Sequence, residues 1–286
     1  KPWPAEVQAE IEIAGQQVPI GDLMFNVGGV RIGFEICEDA WVARRPGAKL
    51  AQHGVDIILN PSASHFAFGK QQVREHIASR GAGEFDGGYV YANLLGNESG
   101  RAIYEGGSLI AQHGTIVAGG PRFSFADVVL TSGILDLERC EHAERFRQVE
   151  VGVRDSGWQV PIGVAAPRSG FTSRLFVVDE HAQISEVGTD DCPAYQLSSH
   201  EAAIYPKQEE FARAVALGLF DYLRKSRASG FVVSLSGGAD STATCVLIYL
   251  MVMLASQELG WPSFRTKLAY LEGPPENAIR SWMRRL

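Results

Sequence analysis

Residues 30–41 have the sequence VRIGFEICEDAW, which combines the clearest strand signal of the first half with a polar turn. Apolar and other residues alternate over residues 30–36, which is typical of a half-buried β-strand. The pattern stops at Cys37, and Glu38 and Asp39 follow it, so a loop is expected there. A cysteine at the end of a strand can be exposed and activated as a nucleophile. A buried structural cysteine is the alternative, and it stays open at this point.

Strand and helix signals continue after this stretch. Residues 48–53 predict a short helix that Gly54 ends as a C-cap, and residues 55–59 predict a second strand. A longer helix is predicted over about residues 70–81. Further strands are predicted at residues 89–93, 108–111, 115–118 and 128–137. A strand–helix–strand unit followed by a series of strands predicts an α/β or α+β layered sandwich.

A second unit is predicted to begin near Pro206. The residues before it, 149–204, are irregular and rich in Gly, Pro and Ser, which is typical of a linker, with a weak strand signal at 175–178. An amphipathic helix opens the second unit. A strand at 231–235, a glycine turn and a helix from Ser241 to about Leu259 follow.

The glycine turn of this unit has the sequence SLSGGADS at residues 234–241. A strand-to-helix turn offers free backbone N–H groups and the helix dipole to an anion. The adjacent glycines let the backbone approach a phosphate, two serine hydroxyls can donate to it, and Asp240 could hold Mg²⁺ against it. The spacing is not that of a Walker A motif. An ordinary glycine-rich turn is the alternative.

This turn resembles the SGGxDS signature of the PP-loop ATP pyrophosphatase family. Members of that family adenylate a carboxylate or carbonyl carbon and then admit a nitrogen or sulfur nucleophile. The resemblance implies that Asp240 ligates Mg²⁺. It also implies an ATP site formed by Ser234, Leu235, Ser236, Gly237, Gly238, Ala239, Asp240 and Ser241.

Residues 33–41 resemble the nucleophile strand of the nitrilase (carbon–nitrogen hydrolase) superfamily, which cleaves amides through a Glu–Lys–Cys triad. The resemblance implies that Cys37 is the catalytic nucleophile. In that superfamily the glutamate and the lysine both precede the cysteine, the lysine by a long interval. Only 36 residues precede Cys37, so neither the catalytic glutamate nor the catalytic lysine is named.

The two motifs together resemble the glutamine-dependent NAD(+) synthetase family, over most of residues 25–250. That family implies hydrolysis of L-glutamine to glutamate and ammonia in the first domain. It implies ATP-dependent adenylation of deamido-NAD(+) in the second, then amidation to NAD(+) with release of AMP and pyrophosphate. By position, Glu38, Ser64 and Lys70 would recognise glutamine, with Lys70 facing the α-carboxylate. A capping role for Ser64 and a solvated Lys70 are the alternatives.

The expected fold class is therefore α/β with two domains. A nitrilase-like α-β-β-α sandwich is expected over residues 1–148, a linker over 149–204, and the start of a PP-loop, Rossmann-type α/β domain over 205–286. Both domains are expected to be incomplete, the second because 45 residues follow Ser241. Three other functions stay open: another PP-loop amidotransferase, a nitrilase or ω-amidase, and a non-catalytic scaffold of this fold.

Composition narrows the choice of partners. The 286 residues have a net charge of −7, which excludes a broad basic surface for nucleic acid. The apolar run at 243–255 is shorter than the roughly 20 residues that span a bilayer, so a buried helix is predicted instead of a membrane span. No signal peptide is visible and the cysteines are far apart, so a cytoplasmic location is expected. The resembled family implies a homo-oligomer.

Overall fold

The computed structural model describes residues 8–21, 23–98, 100–137, 175–178, 184–187 and 207–271. The strands are β1 (Gln8–Ile13), β2 (Gln16–Gly21), β3 (Phe25–Val27), β4 (Val30–Phe34), β5 (Ile57–Ser62), β6 (Gly88–Asn93), β7 (Leu95–Glu98), β8 (Ala102–Glu105), β9 (Leu109–Gln112), β10 (Thr115–Gly119), β11 (Leu175–Val178) and β12 (Ile184–Val187). The helices are a 3₁₀ helix (Cys37–Trp41), α1 (Pro46–Gln52), α2 (Lys70–Glu84), α3 (Lys207–Ser226) and α4 (Ala239–Lys267).

A six-stranded sheet in the order β10-β9-β6-β5-β4-β3 forms the centre of the first half. Strands β4, β5 and β6 are parallel, and the other pairs in the sheet are antiparallel. Helix α1 connects β4 to β5 and α2 connects β5 to β6, because parallel neighbours need a crossover connection. The α/β class predicted from the strand and helix signals is confirmed for this half.

One face of the sheet is buried with α1 and α2 in a single core. Ile58, Tyr89 and Tyr91 of the strands pack there with Leu50 of α1 and Ala78 of α2. The alternation of buried and half-buried residues along β5 fits its predicted strand pattern. Because β4 and β5 are parallel neighbours, their carboxyl ends lie side by side. Residues 35–41 are therefore close to residues 60–70.

A buried carboxylate fixes the end of β4. Glu35 is fully buried, binds Arg45 at 2.6 Å, and accepts hydrogen bonds from the Gly47 amide at 2.7 Å and the Tyr89 hydroxyl at 2.8 Å. A Cβ at Gly47 would meet both the Glu35 carboxylate and the Phe85 ring, so α1 approaches this closely only with glycine there. Burial, together with the charge of Glu35, raises the pKa of Tyr89.

Helix α3 joins the two halves of the described structure. It packs against α4 and against the antiparallel pair β7–β8. The Asp221 carboxylate accepts a hydrogen bond from the Asn97 amide at 2.7 Å, and Lys225 Nζ donates to the Asn97 carbonyl at 2.7 Å. The predicted amphipathic helix is confirmed, but its apolar stripe is not the expected one, because Phe211 and Tyr222 of the sequence pattern are exposed. The buried side chains, at helical spacing, are Ala214, Leu217, Phe220 and Leu223.

Helix α4 consists of two segments that meet at Gly260, where φ is 72° and the helix geometry is lost. Pro262 follows, and the predicted helix end near Leu259 is confirmed. By length and composition α4 could cross a membrane, a test that core helices of globular proteins also pass. Five of its residues are buried in a second core, which also contains residues of α3: Ile248, Met251, Val252, Ala255 and Phe264. This helix is therefore weak evidence for a span.

Two predicted strands are wrong. Residues 128–137 form no strand: the Asp136 backbone pairs with the Gln112 side chain, at 2.7 and 2.9 Å, instead of a strand ladder. Residues 231–235 form no strand either, and Val232 is fully exposed. In the described part of the chain no neighbouring strand lies beside them, and an extended segment without a neighbour leaves its backbone groups unpaired.

Most of the predicted linker lies outside the described residues. Its weak strand signal is confirmed, because β11 occupies the predicted residues 175–178 and pairs with β12 in an antiparallel hairpin.

Candidate active site

Cys37 is the first residue of the 3₁₀ helix that follows β4, and it is half-buried. Its φ is 51°, in the left-handed region that non-glycine residues rarely adopt. Asp39 closes this turn: its carboxylate accepts from the Ile36 amide at 2.8 Å, and its own amide donates to the Ile36 carbonyl at 3.1 Å. Backbone strain of this kind clusters at functional sites, which makes this turn at the end of a parallel strand a candidate site.

Lys70 lies beside the cysteine turn, at the first position of α2. Its Nζ is 5.6 Å from the ring centroid of Trp41 and donates to the His65 carbonyl at 3.1 Å. Burial and the neighbouring Arg74 lower the pKa of Lys70, while Glu105 and Cys37 oppose that change. Its contact with Trp41 places Lys70 next to the 3₁₀ helix that begins with Cys37.

Ser64 is buried, and its backbone is held from two sides. Its amide donates to Asn93 Oδ1 at 2.9 Å, and its carbonyl accepts from Asn93 Nδ2 at 3.1 Å and from Arg74 Nη2 at 2.9 Å. The N-cap of α2 is Gly69, which makes no side-chain cap, so Ser64 does not cap that helix.

Glu38 follows Cys37 in the 3₁₀ helix and is exposed. Among the contacts of the described residues, none joins Glu38 to Ser64 or Lys70. The structure therefore brings Cys37, Ser64 and Lys70 into one region. Glu38 lies at the rim of that region because it follows Cys37 in the chain.

Sequence reasoning missed the polar residues behind this region. Arg74 and Glu105 form a fully buried ion pair, and Arg74 donates to the Ser64 segment. The Tyr104 hydroxyl donates to Glu98 at 2.6 Å; this bond, together with burial and the charge of Glu98, raises the pKa of Tyr104. The available signal was an acidic residue directly before Gly106 and Gly107, two glycines that both have positive φ.

The SLSGGADS turn forms the N-terminus of α4, although the strand expected before it is absent. Gly238 is the N-cap, and Ser236 Oγ lies 3.3 Å from Ser241 Oγ. The predicted residues are exposed except Ser241, which is half-buried. An open cavity of about 470 Å³ adjoins the turn. It is lined by Phe211 of α3 and by Gly237, Gly238, Ala239, Thr242, Ala243, Val246 and Leu247.

Known proteins match both halves. Residues 3–144 match the carbon–nitrogen hydrolase family. The glutamine-dependent NAD(+) synthetase of Saccharomyces cerevisiae is 32% identical over 254 residues, which cover 88% of this chain and 33% of that protein. The chain is related to the glutamine-dependent NAD(+) synthetases. The Homo sapiens synthetase is 31% identical over 247 residues, covering 82% of this chain and 31% of that protein.

A solved structure agrees with these sequence matches. The glutamine-dependent NAD(+) synthetase from Cytophaga hutchinsonii superposes with a TM-score of 0.62 at 32% identity, covering 93% of this chain and 33% of that one. The chain spans about a third of the length of the synthetases that it matches. The resemblance and the nitrilase-like fold of the first half are confirmed, whereas the roles of the individual residues stay predictions.

Proposed function

We propose that this chain provides the glutamine-hydrolysing site and the ATP-binding turn of a glutamine-dependent NAD(+) synthetase. The observation that supports this most is the strained turn at Cys37 beside the cation of Lys70, in the same chain as SLSGGADS at the N-terminus of α4. A nitrilase or an ω-amidase would leave that second turn without a role. We expect the enzyme to be cytoplasmic and to form a homo-oligomer.

In the glutaminase reaction, the thiolate of Cys37 attacks the side-chain amide carbon of glutamine. A bond forms between Sγ and that carbon, the carbon–nitrogen bond breaks, and the nitrogen leaves as ammonia after gaining a proton. Water then hydrolyses the thioester to glutamate.

Lys70 suits the α-carboxylate of glutamine for an electrostatic reason. Its ammonium loses solvation at this site, which lowers its pKa, and an anionic ligand would offset that loss. An ammonium has three donors, and the described contacts use one, toward the His65 carbonyl. Ser64 would offer its hydroxyl, and Glu38 would face the ligand's ammonium from the rim.

The turn before α4 suits the phosphates of ATP. The first N–H groups of a helix lack partners inside the helix, and Gly237 and Gly238 leave room for close approach. The hydroxyls of Ser236 and Ser241 lie on the same side of the turn, within 3.3 Å of each other. Here the carboxylate of deamido-NAD(+) would attack the α-phosphorus of ATP and release pyrophosphate. Ammonia would then displace AMP and form the amide.

Mg²⁺ fits this turn through Asp240, an exposed carboxylate in the first turn of α4. The described residues contain no group of three or more His, Cys, Asp or Glu side chains that could hold a metal. A single carboxylate with substrate phosphates is nevertheless a usual way to bind Mg²⁺. When bound, the ion would neutralise charge on the phosphates, and the Asp240 carboxylate would be its protein ligand beside the turn.

The two sites can be separated by a pair of substitutions in the intact protein. We expect Cys37→Ala to abolish glutamine-dependent NAD(+) synthesis and to retain ammonia-dependent synthesis, because only ammonia release needs the thiol. We expect Asp240→Ala to abolish synthesis with either nitrogen source. Cys245→Ala, at a half-buried cysteine of α4, is the matched control and retains both.

Steady-state assays of NAD(+) formation with glutamine and with ammonium salts give the readout. Glutamine-dependent synthesis by the Cys37→Ala variant would refute the nucleophile. Normal ammonia-dependent turnover by the Asp240→Ala variant would refute the Mg²⁺ role. An unchanged protein that forms no NAD(+) with either nitrogen source would refute the proposed function.

A further inference from the structure

Four buried charged side chains form a continuous chain of ion pairs behind the proposed glutamine site. Arg74 on α2 pairs with Glu105 at the end of β8, and Glu105 also pairs with Arg122. Arg122 in turn binds Glu210 on α3 at 2.8 Å. All four side chains are buried, Arg74 and Glu105 completely. This ion chain connects α2 of the first half to α3 of the second.

One end of the ion chain holds the segment that contains Ser64. Arg74 Nη2 donates to the Ser64 carbonyl at 2.9 Å and to the His65 carbonyl at 3.2 Å, and it lies 3.4 Å from Ser64 Oγ. The His65 carbonyl also accepts from Lys70 Nζ. The guanidinium of Arg74 therefore holds Ser64 directly, and it shares the His65 carbonyl with Lys70.

The other end is fixed by close packing. Arg122 uses Nε and Nη2 for Glu105 and Nη1 for Glu210, so a single guanidinium joins β8 to α3. A Cβ at Gly107 would approach the Arg122 side chain to 3.1 Å, which shows how closely the turn after β8 lies against it. Movement of α3 therefore acts on Arg122 directly, and through Glu105 on Arg74.

Burying four charges is expensive, and apolar residues of similar volume often stabilise a fold equally well. A guanidinium, however, offers a fixed fork of donors that holds carbonyl groups in a defined geometry. Donation by Arg74 to two successive carbonyls uses this property, whereas an apolar side chain could fill the space without orienting them.

We propose that Arg74 is a positioning residue for glutamine, and that the ion chain through Glu105, Arg122 and Glu210 makes the glutamine affinity depend on the seating of α3. This proposal rests on the proposed function. Arg74 touches no substrate atom and acts through Ser64, His65 and Lys70. Loss of the ion chain should therefore change glutamine binding more than the chemical step.

The test is a double-mutant cycle in the intact protein with Arg74→Lys and Glu210→Gln. Lysine keeps the charge but loses the fork, so we expect it to raise the KM for glutamine about 10-fold while kcat changes less than about threefold. Glu210→Gln should raise that KM about threefold, and it should add little in the Arg74→Lys background, because both changes act through one network. The KM for ammonia should stay unchanged in every variant.

Two matched controls separate positioning from general destabilisation. Arg80→Lys changes an exposed arginine of α2, the helix that contains Arg74. Glu209→Gln changes a glutamate of α3 that pairs with Arg213 and is the neighbour of Glu210 in the chain. Both should leave the KM for glutamine unchanged. Thermal unfolding of all variants shows whether each one is folded.

The outcomes are distinct. A KM for glutamine that stays within twofold in folded Arg74→Lys and Glu210→Gln proteins would overturn the proposal, and so would effects that simply multiply in the double variant. If Arg74→Lys does not fold, the KM of the Glu210→Gln variant alone decides. If the unchanged protein has no glutaminase activity, the proposed function is refuted. This outcome is distinct from any change in the KM of a variant, which requires measurable activity.

Discussion

Two turns in this chain have the same sequence pattern and different structures. The cysteine turn, residues 30–41, is an apolar run followed by a polar turn. The serine turn, residues 231–241, is also an apolar run followed by a polar, glycine-containing turn that leads into a helix. The apolar run of the cysteine turn becomes β4, in the middle of a sheet. The run of the serine turn forms no strand.

The difference lies in what surrounds each run. Strand β4 has β3 on one side and β5 on the other, and Glu35 at its end is held by Arg45, Gly47 and Tyr89. The run at 231–235 has no such neighbours in the described residues. The helix after it nevertheless begins at the predicted glycines, with Gly238 as N-cap. Helix starts depend on local residues, whereas strands depend on partners distant in sequence.

The largest effect of a substitution is expected at Lys70. It should change the glutamine reaction at the cysteine turn and leave the reaction at the serine turn unchanged. Lys70→Met removes the cation proposed for the α-carboxylate, and a charge-assisted hydrogen bond to a ligand is worth about 10- to 100-fold in affinity. We therefore expect a rise of about that size in the KM for glutamine, with ammonia-dependent synthesis unchanged. Lys70→Arg should retain most of the affinity.

A neutral ligand makes this test specific. Glutamine with its α-carboxylate converted to an amide should have nearly the same KM for the unchanged protein and for Lys70→Met. Arg80→Met, at an exposed position of the same helix, should behave as the unchanged protein. Equal losses with glutamine and with its α-amide would contradict the carboxylate role, and a loss of ammonia-dependent synthesis would contradict the separation of the two turns.

A smaller effect is expected at Asp221, which joins the halves that contain the two turns. Its buried carboxylate pairs with Arg224 and Lys225 and accepts from the Asn97 amide. Asp221→Asn should lower the free energy of unfolding by about 2 kcal/mol, since it removes the charge from a buried pair whose partners are partly exposed. Glu84→Gln, at an exposed ion pair, should cost less than about 0.5 kcal/mol.

The pH dependence of this effect follows from the same contacts. Burial favours the protonated form, but the bonds from Lys225, Arg224 and Asn97 outweigh it and lower the pKa of Asp221. Because the pKa of Asp221 is lower in the folded than in the unfolded chain, its ionised carboxylate stabilises the folded state above about pH 3.9, the pKa of an unfolded-chain aspartate. This stabilisation is lost as the pH falls through the pKa of Asp221 in the folded state. Denaturant unfolding of the unchanged protein and of Asp221→Asn should show that the difference in their free energies of unfolding becomes smaller below about pH 4. A difference that grows there would contradict this assignment.

Local patterns predicted the elements that local residues determine. Strands β4, β5, β6, β9 and β10 and helix α2 were predicted within a few residues. The start of α3 and a helix end near Leu259, just before the break at Gly260, were also predicted. The hairpin of β1 and β2 was not predicted, although Ala9, Ile11 and Ile13 alternate with Glu10 and Glu12, a period-2 pattern typical of a strand. The ion chain was not predicted either, since Arg74, Glu105, Arg122 and Glu210 have no periodic relation. Only the fold brings charges so distant in sequence into contact.

Covalent trapping can show whether Cys37 is the glutamine nucleophile. The intact protein would be treated with a glutamine analogue that has a diazoketone in place of the side-chain amide, and its peptides analysed by mass spectrometry. We expect about one label per chain, on Cys37, which excess glutamine prevents and which is absent from Cys37→Ser. A protein that hydrolyses glutamine but shows the label on another residue, or no label, would contradict it.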